Sequence, residues 1–137
     1  MARTPKGVLT ENEFSILTLL WTKNRSLSRP EILENLSDND WNPNSIHLIL
    51  NSMIKKGVLK VDGVTRCGQN YGRTYAPTMT QEEYAASQMI RLTPNLPQSR
   101  RLLGIFAALV DKNGIDAQTI EEMEKLLAMK RKELELK

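Results

Sequence analysis

The chain has 137 residues, 40% hydrophobic and 26% charged, with a formal net charge of +3, which suits a folded domain, or one small domain with an appendage. No apolar run approaches the roughly 20 residues of a membrane helix, and Met1-Ala2-Arg3-Thr4-Pro5-Lys6 lacks the apolar core of a secretory signal, so a cytoplasmic protein without a membrane partner is expected. The single cysteine, Cys67, excludes an intrachain disulfide and a multi-cysteine metal site.

Thr10-Glu11-Asn12-Glu13 announces the first helix, because Thr10 can accept from the backbone three residues on while Glu13 reaches back. Phe14, Leu17, Leu20 and Trp21 follow at helical spacing, and Lys23-Asn24-Arg25 ends the run. Ser28-Arg29-Pro30-Glu31 repeats the capping pattern, with proline in the first turn where its missing N–H costs nothing. Ile32 and Leu36 give this short second helix its apolar stripe, and Ser37-Asp38-Asn39-Asp40 reads as a turn.

Asn42 is expected to cap a third helix that Pro43 opens and Lys55-Lys56-Gly57 ends. A two-stranded ribbon follows. Its first strand is Val58-Leu59-Lys60-Val61, its turn is expected near Asp62-Gly63, and it returns through Arg66 to Thr74-Tyr75-Ala76-Pro77. Three short helices and then a basic hairpin match the plan by which winged helix-turn-helix proteins meet DNA.

The rest of the chain is helical in pattern. Thr80-Gln81-Glu82-Glu83 caps a helix to about residue 91, and Thr93-Pro94-Asn95-Leu96-Pro97 breaks it. Residues 98–110 form an apolar-faced helix with Leu102, Leu103, Ile105, Phe106, Leu109 and Val110, and Asp111-Lys112-Asn113-Gly114 is expected as a turn. Asp116 caps a last helix whose apolar face carries Ile120, Met123, Leu126, Leu127 and Leu134. Helices this apolar and this few need another surface to cover them. A second copy is the economical solution, with Leu102, Phe106, Leu109, Ile120, Met123 and Leu127 in the dimer contact. A cap folded onto its own domain is the other possibility. The expected fold is mainly α with a small antiparallel β wing: a winged helix-turn-helix over residues 1–79 and a helical dimerisation region over residues 80–137.

Several motifs, in order along nearly the whole chain, resemble the penicillinase and methicillin-resistance repressors and their copper-responsive relatives. They are Leu9-Thr10-Glu11-Asn12-Glu13 with Trp21, Leu27-Ser28-Arg29-Pro30-Glu31-Ile32, and Asp40-Trp41-Asn42-Pro43-Asn44-Ser45-Ile46. Lys55-Lys56-Gly57-Val58-Leu59, Gly72-Arg73-Thr74-Tyr75-Ala76-Pro77 and Ile120-Glu121-Glu122-Met123 complete the set. The resemblance implies a winged-helix repressor that dimerises through its C-terminal helices. The family's usual Lys-Thr after the helix-opening proline is Asn44-Ser45 here; Leu48 replaces a usual Thr, and Ser52 a usual Arg. The third helix has therefore lost two positive charges. The chain also has neither the paired Cys-x-Cys motifs of the copper-responsive members nor the Asn-Phe bond cut in sensor-controlled repressors. Neither copper nor that cleavage is expected to release it from DNA.

At 100° per residue, Ile46, Ile49, Leu50, Met53 and Ile54 face the core while Asn44, Leu48, Asn51 and Lys55 face away, flanked by Ser45, His47 and Ser52. Asn44 and Asn51 are the best base readers, since an amide can pair bidentately with adenine. Leu48 suits a thymine methyl, and Lys55 and Lys56 suit phosphates. With Asn42, these helix residues and the wing residues Arg66 and Arg73 make up the expected DNA surface, and Arg3 and Lys6 can add an N-terminal arm.

His47 is the sole histidine and reads as a groove-facing polar residue rather than a metal ligand; Cys67 reads as an ordinary strand residue. Residues 1–80 hold 10 Lys/Arg against 7 Asp/Glu, or +3, and residues 81–137 hold 9 against 9; the basic excess lies with the groove reader. No phosphate loop, nucleophile pair or metal cluster points to an enzyme, and no cofactor is expected. The expected function is a homodimeric repressor on a paired half-site in double-stranded DNA. A winged-helix adaptor that binds a protein through Leu48 is the alternative.

Overall fold

The computed structural model describes residues 8–36, 42 and 44–137. Among them run helix α1 (Glu11–Lys23), strand β1 (Leu27–Ser28), helices α2 (Arg29–Asn35) and α3 (Ile46–Lys55), strands β2 (Leu59–Cys67) and β3 (Asn70–Pro77), and helices α4 (Gln81–Leu92), α5 (Gln98–Asn113) and α6 (Ala117–Glu135). The three strands form an antiparallel sheet in the order β1-β3-β2. This is a mainly α fold with a small β wing. No described helix is long and apolar enough to cross a membrane.

Local chemistry sets the helix starts. Glu13 Oε1 accepts the Thr10 N–H at 2.8 Å while Thr10 Oγ1 accepts the Glu13 N–H at 3.2 Å. The same reciprocal pair joins Ser28 to Glu31 and Thr80 to Glu83, so three orphaned helix ends are satisfied by Ser/Thr-x-x-Glu motifs. Asp116 caps α6 by accepting the Thr119 N–H at 2.7 Å. At the end of α3 the N–H of Val58 bonds the Met53 carbonyl and that of Gly57 the Ile54 carbonyl. This pairing needs a left-handed residue, which Gly57 supplies at φ 82°.

Four expectations are corrected. The helix α3 starts at Ile46 with Ser45 at its cap position, so Asn42 does not cap it. Asn42 Oδ1 instead accepts the Asn44 N–H at 2.9 Å, closing a side-chain turn ahead of the helix. The ribbon does not turn at Asp62-Gly63: β2 runs on to Cys67, Gly68 takes a left-handed φ of 66° at the tip, and Arg66 lies on the outgoing strand. Asp62 falls at a register shift between Val61 and Gly63, a bulge that bends the wing. The two-residue β1 was not foreseen, and α5 continues through the expected turn to Asn113. The expected turn at Ser37 to Asp40, the Pro43 helix opening and the Arg3/Lys6 arm lie outside the described residues.

Residues up to Arg91 form one compact unit and Leu92–Lys137 a second. In the first, Ile16, Leu17 and Leu20 of α1 pack with Ile32, with Ile46, Leu50 and Met53 of α3, and with Leu59 and Tyr75 of the sheet. Helix α4 is anchored in this unit. Tyr84 is buried, its ring 6.0 Å from Phe14 and 5.7 Å from Trp21, and Trp21 Nε1 donates to the Met79 carbonyl at 3.0 Å.

In the second unit the Arg101 guanidinium donates to the Thr93 carbonyl and hydroxyl and to the Leu96 carbonyl. It ties the proline-broken segment to α5. Phe106, Val110, Ile115, Ile120, Met123 and Leu127 line an apolar groove of about 280 Å³. No residue of α6 is buried in the single chain.

The first unit contains one largely buried ion pair. Glu13 is 2% exposed, and Lys56 Nζ, just past α3, lies 2.6 Å from its Oε1 while also donating to the Val8 carbonyl at 2.7 Å. Burial pushes the Glu13 carboxyl up, but hydrogen bonds from Lys56, the Thr10 backbone and Ser52, with the Lys56 charge, outweigh it and hold it below its ordinary value. A carboxyl with a lowered folded-state pKa contributes full stability above the ordinary carboxylate range and loses it as pH falls through the lower folded value. Glu13→Gln should therefore cost about 2–3 kcal/mol near neutral pH. Urea unfolding at neutral and at acid pH checks this, and the deficit should shrink as the wild-type carboxylate protonates.

Candidate nucleic-acid interface

The helix α3 divides cleanly by burial. Ile46, Leu50 and Met53 are buried, with Ile49 and Ile54 partly so. Asn44, His47, Leu48, Asn51 and Lys55 are exposed, Leu48 at 73%. Two residues expected on this face turn elsewhere. Lys56 is held by Glu13, and Ser52 is half-buried, its side chain among the groups that hold the Glu13 carboxyl below its ordinary value. A cation with a largely buried partner is withdrawn from phosphate binding. Ser45 is half-buried, and its carbonyl accepts the N–H groups of Leu48 and Ile49.

The wing presents its own face. Val64 pairs with Arg73 and Arg66 with Tyr71, so strand alternation puts these four side chains on one side, and all four are exposed. Thr65, Cys67, Gly72 and Thr74 share the other side and are half-buried. Arg66 Nε donates to the Gly68 carbonyl at 3.2 Å, which steadies the tip. Asp62, at the bulge, accepts from the Ser26 hydroxyl and, at 2.7 Å, from the Thr74 hydroxyl. Those two bonds, Ser26 first, hold its carboxyl below the usual value. They tie the wing's base to the segment before β1.

Helix and wing meet at a cleft of about 530 Å³ lined by Arg29, Pro30, His47, Asn51, Cys67, Tyr75 and residues 70–73. Arg29 Nη1 lies 2.9 Å from His47 Nδ1. Sequence reading missed Arg29: its position in the second capping motif explains a helix start, and nothing in the chain links residue 29 to residue 47. From position 41 to 81 the chain carries five cations, Lys55, Lys56, Lys60, Arg66 and Arg73, and a single acid, Asp62. Among the described residues no cluster of His, Cys, Asp and Glu has the makings of a metal site.

Of the residues expected at a dimer contact, Phe106, Ile120, Met123 and Leu127 come together in the α5–α6 groove, while Leu102 and Leu109 are exposed outside it.

The sequence model for the penicillinase repressor matches residues 9–129. The chain belongs to the penicillinase repressor family. It is thus a DNA-binding transcriptional repressor of the winged-helix type, and its family is regulatory rather than enzymatic. No curated protein matches it. Among solved structures, the adhesin competence repressor (AdcR) from Streptococcus pyogenes is similar at 18% identity. That match covers 93% of this chain and 81% of that one, with a TM-score of 0.44.

The wing's inner side is tightly fitted. A Cβ built on Gly72 would come 2.9 Å from Cys67 Sγ, so the thiol has to move to admit any side chain. Gly72→Ala should destabilise the first unit by about 1 kcal/mol. Adding Cys67→Ala should restore most of that. Thermal unfolding of the two single variants and the double checks the pairing.

Proposed function

We propose that the protein represses transcription as a homodimer whose two winged-helix units occupy paired half-sites of an operator. The observation that supports this best is the joint character of the α3 and wing faces: exposed, cationic, and with Asp62 their sole acid, itself engaged by two hydroxyls. In this reading Asn44 and Asn51 pair with base edges and Leu48 packs on a thymine methyl. Lys55, Lys60, Arg66 and Arg73 neutralise phosphates. Lys56 has a structural part instead. Two α5–α6 faces close on each other, which gives their exposed apolar side chains cover and fixes the spacing between half-sites.

Asn51→Ala should weaken binding to a selected genomic duplex by ~1–3 kcal/mol and binding to random duplex little. Arg73→Ala should weaken both alike and lower the salt slope by about one unit. Fluorescence titrations over a salt series measure both; equal losses on the two duplexes for Asn51→Ala would take that residue out of the base-reading set. Exposure of Leu48 keeps a protein-binding adaptor as the second reading. Under it, duplex binding at moderate salt would be absent and Leu48→Ala would have no effect on DNA.

For the dimer, Phe106→Glu with Leu127→Glu should convert a dimer of about 31 kDa, twice the 15.6 kDa chain, into a monomer. Operator affinity should then fall by at least tenfold, because the second half-site contact is no longer intramolecular. Light scattering at micromolar concentration decides it: a monomeric wild-type protein would falsify the homodimer.

A further inference from the structure

The contact between Arg29 and His47 fixes more than a side-chain position. A guanidinium carries donors and no acceptor. With Arg29 Nη1 at 2.9 Å from His47 Nδ1, Nδ1 is the accepting nitrogen and the ring proton belongs on Nε2. We propose that Arg29 is a positioning residue that makes His47 a fixed hydrogen-bond donor, and that His47 thereby selects an acceptor on a base edge. The inference rests on the DNA-binding reading above and deepens it from a list of contacts to a rule of base choice.

Three observations support it. His47 is exposed and stands one helical turn before Asn51, so both reach the same side of α3. The cleft beside it contains Arg29, Asn51 and Arg73 and no carboxylate, so no acidic group there competes for the ring or repels a phosphate. The partner comes from a different element, α2, whose capping box holds Arg29 at the first helical position. The pair therefore depends on the geometry between the two helices and not on a local turn.

The chemistry of the major groove gives the pair its consequence. Guanine O6 and N7, adenine N7 and thymine O4 accept, whereas cytosine N4 and adenine N6 donate. A ring held with its proton on Nε2 favours the first set and leaves the second facing a donor. Without Arg29 the ring can present either a donor or a bare nitrogen. Loss of Arg29 should then broaden base preference more than it lowers affinity, an outcome that a merely structural or phosphate-binding arginine would not produce.

The chain has one histidine, so a histidine-selective ¹⁵N spectrum of the full-length protein reports this ring alone. The expected spectrum has a bare Nδ1 and a protonated Nε2; Arg29→Ala should give a mixture of the two tautomers. Duplexes selected from a randomised pool by the wild-type protein should show a preference of about tenfold for an acceptor base at one position of each half-site. Arg29→Ala should lose that preference, its affinities for duplexes that differ only at that position converging to within about twofold of one another. His47→Gln, whose amide offers both a donor and an acceptor, should broaden the choice in the same way and covers the case of an unfolded Arg29 variant. A proton on Nδ1, or an unchanged base preference in both variants, overturns the inference and leaves the DNA-binding reading intact. A wild-type protein that binds no duplex overturns both.

Discussion

A single buried carboxylate organises the first unit. Glu13 sits in the first turn of α1, where its capping partner Thr10 would by itself keep it near the surface. It is nonetheless almost fully buried, and it receives Lys56 from the far end of α3. One residue therefore closes the start of one helix and clamps the end of another. A buried charge without a partner is costly, so the pair favours the arrangement that brings the two helix ends together. The pair fastens the C-terminal end of α3 to the start of α1, while burial of Ile46, Leu50 and Met53 leaves Asn51, His47 and Leu48 on the outside. The Ile46, Leu50 and Met53 face fills the space beneath but is nondirectional; the ion pair supplies the registration.

The same constraint explains what the sequence did and did not disclose. The starts of α1, α2 and α4 were legible because Ser/Thr-x-x-Glu is a local chemical device that works within four residues. The buried face of α3 was legible for a similar reason: a period of 3.6 needs no knowledge of the partner. The destination of Lys56 was not. Its neighbour Lys55 is equally basic and points outward, and the difference between them lies 43 residues away in Glu13. The wing turn was misplaced because Asp-Gly is a strong local hairpin signal. Here the pairing of Leu59 with Pro77 and Val61 with Tyr75 fixes the ribbon's register. Burial of Tyr75 makes that register worth more than the turn preference, and the Asp-Gly pair is absorbed as a bulge. Asn42 misled in the same manner: it makes a side-chain turn instead of a helix cap. Strand β1, two residues long, exists only because β3 offers it an edge.

On the proposed reading, the distribution of charge has a consequence for affinity. The recognition helix keeps one outward cation, Lys55, once Lys56 is committed inward. Most phosphate neutralisation then falls to the wing, where Arg66 and Arg73 are joined by Lys60 at its base. The wing's angle consequently matters as much as that of the helix. It is set by the Asp62 bulge and the hydroxyls of Ser26 and Thr74 that hold it. A helix poor in charge and rich in amides gains its discrimination from hydrogen-bond geometry. A basic hairpin supplies attraction that depends little on sequence. The two parts of one unit thus divide specificity and affinity between them.

On the proposed reading, the four cations of the α3 and wing faces, Lys55, Lys60, Arg66 and Arg73, give a weak grip on a single half-site at physiological salt, because each phosphate contact is partly offset by the ions that surround it. Two linked units double the number of contacts and make the second an intramolecular event. The apolar side of α6, uncovered in the single chain, and the modest charge of the first unit are then two aspects of one arrangement. A chain that bound tightly alone would occupy any basic-friendly stretch of DNA; a chain that needs a partner binds firmly only where two half-sites have the right spacing. Weakness of the single unit, on this reading, is the source of the pair's selectivity.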